Sequence, residues 1–234
     1  MNFLRLVIVA AGLLAFARAE ELDFNSVVPF TETKASTAGY SLALTFKPQL
    51  KIVSGCHPYP AVDSEGNTNA GIDIFSFKSC EGSSLGSQIY GRATTYEDSY
   101  AILYSWYFPR DRKGTFGHRH SWEHIIVWIE RTSSTKGALS SVSASTSDGK
   151  YFTITPPDTD MVWDKTSVKI QYKAKTFSHY VNVSTESGDF QDLVMWEDMS
   201  SAARTALNLN DFGSATVPFK EDTFLDNLKN AYPW

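Results

Sequence analysis

The sequence predicts an α+β protein: a central β-sandwich of antiparallel strands flanked by peripheral helices. Three observations predict it. Five short runs rich in aromatic and β-branched residues occupy the middle of the chain, clusters of Gly, Pro, Ser and Asp separate them, and near the C-terminus the apolar period lengthens from that of a strand to that of a helix. Short strands with frequent turn signals build antiparallel layers, and amphipathic helices that follow them must bury one face against those layers.

The elements follow in chain order. Arg5 precedes the apolar run Leu6 to Phe16, and Ala17-Arg18-Ala19 has the small residues a signal peptidase accepts, so residues 1–19 read as a secretory signal cut before Glu20. That run is too short to cross a bilayer as a helix, and no later run approaches about 18 apolar residues. The expected mature protein is soluble, exported and one domain over residues 20–234, because no linker, repeat or low-complexity tract divides it. Cleavage removes two of the 21 basic residues and none of the 26 acidic ones, leaving a net charge of −7. A nucleic-acid partner, which selects a basic stripe, is excluded on that ground. Cys56 and Cys80 are the only cysteines, and an even count in an oxidising compartment points to one disulfide, with two free thiols as the alternative.

The expected strands are 101–108 (AILYSWYF), 124–129 (HIIVWI), 139–146 (LSSVSAST), 151–155 (YFTIT) and 168–172 (VKIQY). Ser200 is a capping residue for a helix over SSAARTAL, and in KEDTFLDNLKNAY the residues Phe224, Leu225, Leu228 and Ala231 share one helical face. Asn182-Val183-Ser184 is a glycosylation sequon within a strand-like run.

Between the first two strands lies PRDRKGTFGHRHSWE, where Pro109 and Gly114 interrupt any strand and leave a long hairpin loop. On a regular strand His118 and Glu123 would face opposite ways. A bend in the loop gathers Asp111, His118 and Glu123 at one end of the sheet, a set that suits a hard divalent ion such as Mg²⁺, Ca²⁺ or Mn²⁺ better than zinc. The alternative is a pair of ordinary surface or packing histidines. His120 shares its parity with Trp122 and His124 and reads as a hydrogen-bonded packing residue; Arg119 is either a contact for an anionic head group or simply solvated.

AILYSWYFPRD at 101–111, GHRHSWE at 117–123, FKPQLKIVSGCHPYPAVDSEGNT upstream and DLVMWEDMSSAARTALNLNDFGSATVPF downstream together resemble the necrosis- and ethylene-inducing peptide-like proteins (NLPs) of oomycetes, fungi and bacteria. The resemblance runs from about Phe46 to Tyr232, and the GCHPYP segment at Cys56 looks like the two-cysteine type. It implies a β-sandwich flanked by helices, similar to actinoporins and some fungal lectins. It implies, for cytolytic members, a divalent cation at one end of the sandwich and recognition of glycosylinositol phosphorylceramide sphingolipids of plant plasma membranes, with membrane damage and no covalent chemistry. Carried over by position, the metal residues are Asp111, His118 and Glu123, with His179 as a further site residue and Mg²⁺ or Ca²⁺ as the ion. The heptapeptide is Gly117, His118, Arg119, His120, Ser121, Trp122 and Glu123.

Two departures stand out. The family heptapeptide is GHRHDWE, so Ser121 replaces an aspartate and cation affinity is expected to fall. If KTFSH aligns with the family segment WPxNH, Lys175 stands where cytolytic members carry a tryptophan, and Trp163 is the candidate replacement. The segment Ala101 to Arg119 differs from the family pattern AIMYSWYFPKD, over its first eleven positions, only at Leu103 and Arg110. That pattern is sensed by immune receptors of some plants. The expected function is therefore a secreted effector of weak or absent cytotoxicity, recognised by a plant pattern receptor in the host apoplast. The competing readings are a cation-dependent cytolysin that binds sphingolipid head groups and, from the His and Glu residues alone, a metal-dependent hydrolase. The hydrolase is disfavoured because the chain shows no tightly spaced set of ligands plus base.

Overall fold

The computed structural model describes residues 19–112, 115–146 and 149–234. The expected signal segment, up to residue 18, and the loop-breaking Gly114 lie outside the described residues. Along the chain run β1 (Glu21–Leu22), α1 (Ala38–Thr45), β2 (Gln49–Ser54), β3 (Thr68–Asn69), β4 (Gln88–Tyr96), β5 (Ser99–Phe108), β6 (Ser121–Arg131), β7 (Gly137–Ser145) and β8 (Tyr151–Ile154). There follow β9 (Val162–Trp163), β10 (Ser167–Ala174), β11 (His179–Val183), β12 (Asp192–Met195), α2 (Ser201–Leu209) and α3 (Phe224–Ala231).

Alternation along β5 and β6 creates the layers. In β5, Ala101, Leu103 and Tyr107 enter one core, while Ile102, Tyr104, Trp106 and Phe108 enter another. In β6 the division is Trp122, Ile126 and Trp128 against Ile125, Val127 and Ile129. A strand buried on both faces must be apolar almost continuously, which is how AILYSWYF reads. These two strands lie at the centre of a six-stranded sheet ordered β12-β4-β5-β6-β7-β8. One face meets the second sheet, β11-β10-β2 with β9 attached to β10, through Leu50, Ile170, Tyr172 and Val181. The other face is covered by Ala203 and Leu207 of α2 and by Phe224, Leu228 and Ala231 of α3.

The expected class stands, with amendments. All pairs from β4 to β8 are antiparallel, but β12 lies parallel to β4 and β2 parallel to β10. These two pairs, and the short parallel pair β1–β3, join segments far apart in sequence, where no turn signal announces the partner. β6 begins at Ser121, which pairs with Phe108, so the hairpin loop is shorter than the expected one and Glu123 is a strand residue. Ser200 caps α2, its Oγ accepting the Ala203 N–H at 3.0 Å. In α3 the buried stripe is Phe224, Leu228 and Ala231, while Leu225 is exposed, one residue and about 100° around the helix from Phe224.

Cys56 and Cys80 are joined, Cα atoms 4.9 Å apart. The closed segment is tied to the end of β5: Tyr59 N–H donates to Tyr107 O at 2.9 Å and Ile72 N–H to Pro109 O at 2.8 Å. A Cys56→Ala/Cys80→Ala double variant is expected to lose about 3 kcal/mol of unfolding free energy, the chain entropy restored to a loop of this length. Urea denaturation of wild type and variant checks it, and equal stabilities would show that β5 alone holds the segment.

Candidate metal centre

β5 leaves the core at Phe108, whose ring stacks on Tyr172 with centroids 4.0 Å apart. Arg110 then turns one way and Asp111 the other. Arg110 is 1 % exposed, and its guanidinium donates to the carbonyls of Asp73, Ser76 and Lys78 at 3.1, 3.0 and 3.4 Å. A planar group with five donors can satisfy three carbonyls at once; a lysine ammonium has only three donors on one atom.

Asp111 is fully buried. Its Oδ1 accepts the backbone N–H groups of Arg112 and His118, both at 2.6 Å, which closes the loop on itself. Gly117 permits that closure, because a Cβ there would stand 2.2 Å from Arg112 O. Oδ2 has no hydrogen-bond partner. Arg112 Nε is 3.1 Å from it, but that N–H donates to Phe116 O at 2.9 Å.

What Oδ2 does face is two imidazoles, His118 Nε2 at 3.4 Å and His179 Nε2 at 3.7 Å. Their protonation follows from the far side of each ring. His118 Nδ1 lies 2.6 Å from the carbonyl of His120, which can only accept, so Nδ1 carries the proton. His179 Nδ1 donates to Glu123 Oε1. Glu123, itself 4 % exposed, is held by Ser145 Oγ, which donates to Oε2 at 3.2 Å. With those protons on Nδ1, each Nε2 in the neutral form of its ring can turn a lone pair toward the buried carboxylate oxygen, and the three atoms lie within 4.8 Å of one another. Three lone pairs repel unless positive charge stands near them; the Arg112 guanidinium, 3.1 Å from Oδ2, supplies part of that charge and a cation among the three would supply the rest. The residues thus fit a cation, with outer partners that fix the rings as metal-binding histidines require. Burial alone would lower the His179 pKa, but its hydrogen bond to Glu123 and the charges of Glu123 and Asp111 outweigh burial and raise it. The same carboxylates that attract a proton there would attract a metal ion.

Of the expected site residues, Asp111, His118 and His179 converge, and Glu123 stands behind His179 as its hydrogen-bond acceptor. Ser121 is 1 % exposed, its Oγ has no partner, and it lines a cleft of about 290 Å³ with His118, Glu123 and His179. His120 points into the helix-side core, where Nδ1 is 2.5 Å from Tyr107 Oη and the ring meets Phe212 edge-on at 5.3 Å. Trp122 packs among Tyr90, Tyr107, Phe212 and Phe219. Arg119 is exposed beside Asp73, at 3.7 Å.

Trp163 does not replace the missing tryptophan. It pairs with Ser167 at one end of β10, whereas His179 pairs with Ala174 at the other, about 23 Å along the strand. The aromatic residues near the centre are instead Phe116 and Phe177, both exposed, with ring centroids 5.1 Å apart. Sequence reasoning missed them because a lone Phe in a polar loop carries no periodic signal. Lys175 Nζ lies over the Tyr180 ring at 5.7 Å. Ala101 to Phe108 is wholly buried, and Asn182 sits half-buried in the edge strand β11, its Oδ1 accepting the Val183 N–H at 2.8 Å.

Comparison with known proteins places these features in context. The family described as necrosis inducing protein (NPP1) matches residues 40–231. The necrosis-inducing protein NPP1 of Phytophthora nicotianae is 43 % identical over 99 % of each chain, and NLP effector protein 3 of Phytophthora capsici is 42 % identical over 100 % of each. Among solved structures, the non-toxic HaNLP3 protein superposes with a TM-score of 0.84 at 38 % identity, covering 90 % of this chain and 99 % of its own. NLPPya in complex with glucosamine gives 0.82 at 39 % identity, covering 91 % and 99 %.

The buried histidines generate an acid sensitivity. Burial, then Arg119, lowers the His120 pKa to about 4, and burial lowers that of His124 to about 3. A depressed histidine leaves stability intact above the unfolded value of about 6.5 and erodes it as pH falls from there to the folded value, because only the unfolded chain takes up the proton. His179, raised, acts oppositely: its contribution is complete below about 6.5 and is lost as pH climbs through its folded value. Between pH 6.5 and 4 the His179 contribution is already complete, so the two depressed groups alone set the slope and stability falls, with His120 contributing on the order of 3 kcal/mol. Urea unfolding at a series of pH values is expected to show this slope, and His120→Asn to flatten it.

Proposed function

The chain belongs to the necrosis-inducing protein family, and from that membership we propose a secreted effector of weak or absent cytotoxicity that plant cells sense as a microbial pattern. Ser121 carries this proposal. At the mouth of the sandwich a neutral hydroxyl lines the cleft with His118, Glu123 and His179, where the related heptapeptide has a carboxylate. A carboxylate gives a hard dication both charge and a strong oxygen ligand. If its replacement weakens binding by about 3 kcal/mol, affinity falls roughly a hundredfold. Asp111, His118 and His179 would hold the ion, Glu123 would orient His179, and the bound ion would supply positive charge to attract a polar head group.

The immune role rests on the segment Ala101 to Arg119. Its first eight residues are buried in both cores, so a receptor would meet it as a released, extended peptide, bound by its backbone and alternate side chains. The proposal calls for recognition and binding without covalent chemistry. Passage through the secretory route would also present Asn182 for glycosylation.

A second reading has its own support. The assembled metal cluster, with the exposed pair Phe116 and Phe177 beside it, favours a cation-dependent cytolysin that binds glycosylinositol phosphorylceramide head groups. Infiltration of purified protein into dicot leaves separates the two. Ethylene or reactive-oxygen output with ion leakage at or little above buffer level is expected, and leakage matching that of a lytic family member would put the cytolysin in its place. A synthetic Ala101 to Arg119 peptide is expected to trigger the same defence output in a plant able to sense the family; silence beside a response to the standard family segment would remove the pattern role.

A further inference from the structure

We propose that Asn69 and Tyr107 are positioning residues: through the His120 ring they fix the backbone carbonyl that orients His118. Only the last step, from an oriented His118 to a held ion, rests on the reading of the Asp111–His118–His179 cluster as a cation site.

His118 is partly exposed, yet its ring is held, because Nδ1 meets the His120 carbonyl at 2.6 Å. The side chain of His120 runs the other way, into the helix-side core, where its own Nδ1 is 2.5 Å from Tyr107 Oη. Tyr107 Oη is in turn 3.3 Å from Asn69 Oδ1. Tyr107, Asn69 and His120 are all buried, so solvent does not compete for these groups.

The protons along this chain have one consistent arrangement. Asn69 Nδ2 donates to Phe24 O at 3.1 Å and to Pro60 O at 2.8 Å, which leaves Oδ1 to accept the Gly71 N–H at 2.9 Å and the Tyr107 hydroxyl. If Tyr107 gave its single proton to His120, two oxygen lone pairs would face each other in the core. Donated to Asn69, that proton leaves an Oη lone pair for an N–H of His120. His120 is therefore protonated at Nδ1, the same ring nitrogen as in His118.

The backbone is confined at the same place. Gly71 has φ +68°, and a Cβ there would stand 2.4 Å from Arg119 Cγ and 2.8 Å from His120 Nδ1. Gly213 has φ +67°, and a Cβ there would stand 2.9 Å from Arg119 O. Residues 119 and 120 thus pass through a slot between two glycines, and Tyr107 Oη is the polar contact that registers His120 within it. Packing alone would ask only for an apolar side chain of this size. The polar chain instead joins three segments remote in sequence: Phe24 near the N-terminus, Pro60 and Asn69 in the disulfide-closed segment, and Tyr107 on β5. Groups that stand behind a metal-binding histidine fix its ring, and losing one commonly costs about ten- to a hundredfold in affinity.

The test uses the full chain, stripped with chelator. Histidine tautomers are read from long-range proton–nitrogen NMR spectra of labelled protein, Mn²⁺ binding from electron paramagnetic resonance, and the fold of each variant from near-ultraviolet circular dichroism. Wild type is expected to show His118 and His120 both protonated at Nδ1. Tyr107→Phe, which removes only the hydroxyl, is expected to shift His118 toward a mixture of its two neutral tautomers and to weaken Mn²⁺ at least about tenfold. His120→Asn, whose amide nitrogen can stand in for Nδ1, is expected to keep the His118 tautomer and hold Mn²⁺ within about threefold of wild type, whereas the apolar His120→Leu loses both. Should Tyr107→Phe not fold, the His120 pair carries the same comparison. Ser143→Ala, which removes buried hydrogen bonds to Trp128 and Ala231, is expected to lower stability and leave both readouts unchanged. Wild-type His118 protonated at Nε2, a tautomer indifferent to Tyr107→Phe, a His120→Leu equal to His120→Asn, or an equal change in Ser143→Ala would each overturn the proposal. Mn²⁺ that fails to bind wild type, with the His118 tautomer still dependent on Tyr107, would remove the cation reading and uphold the positioning role.

Discussion

The structure depends on the burial of β5 and β6 on both faces. Two central strands that are apolar on both sides need two covers, and the chain provides a second sheet on one side and two helices on the other. Because β5 ends at Phe108, stacked on Tyr172, the next charged residues emerge at the rim between the sheets. Asp111 is forced to stay there, dry and next to β10 and β11. Polar chemistry in this protein is thus placed by where a hydrophobic strand stops.

Burying charge at that rim is costly unless each group is satisfied. Arg110 is met by three carbonyls of the disulfide-closed segment, and Asp111 Oδ1 by two N–H groups of its own loop. Glu123 holds His179 and is held by Ser145. Against that background Asp111 Oδ2 stands out as a buried carboxylate oxygen with no hydrogen bond among the described residues, and two imidazoles aim at it. The disulfide, the guanidinium and the glycine at 117 act on the same few atoms, each by confining backbone.

Much of this was legible beforehand. AILYSWYF could hardly be anything but a central strand, and Ser200 announced α2 by its capping chemistry. The cysteines paired as their even count implied, and His120 packed inward as its parity with Trp122 required. Other elements were hidden. β4 contains Gly91 and runs of Thr and Arg, so its alternation is weak, and β12 is four residues that make sense only beside β4. Leu225 looked apolar enough to be buried, yet a stripe already filled at Phe224, Leu228 and Ala231 leaves it in solvent.

The sequence by itself determined which residues could meet within one loop. Asp111, Gly117 and His118 are close along the chain, and hydrogen bonds of short range bring them together. It also determined that Ser121 would be neutral. Only the tertiary structure decided that His179 joins them, since that requires β11 to stand opposite the end of β6 across the sandwich. It likewise decided that Glu123 supports a histidine, that Trp163 is a strand length away, and that Phe116 meets Phe177. The physical reason is range: capping, parity and turn chemistry act over a few residues, whereas the ligand set of a metal centre depends on which distant strands the two cores press together.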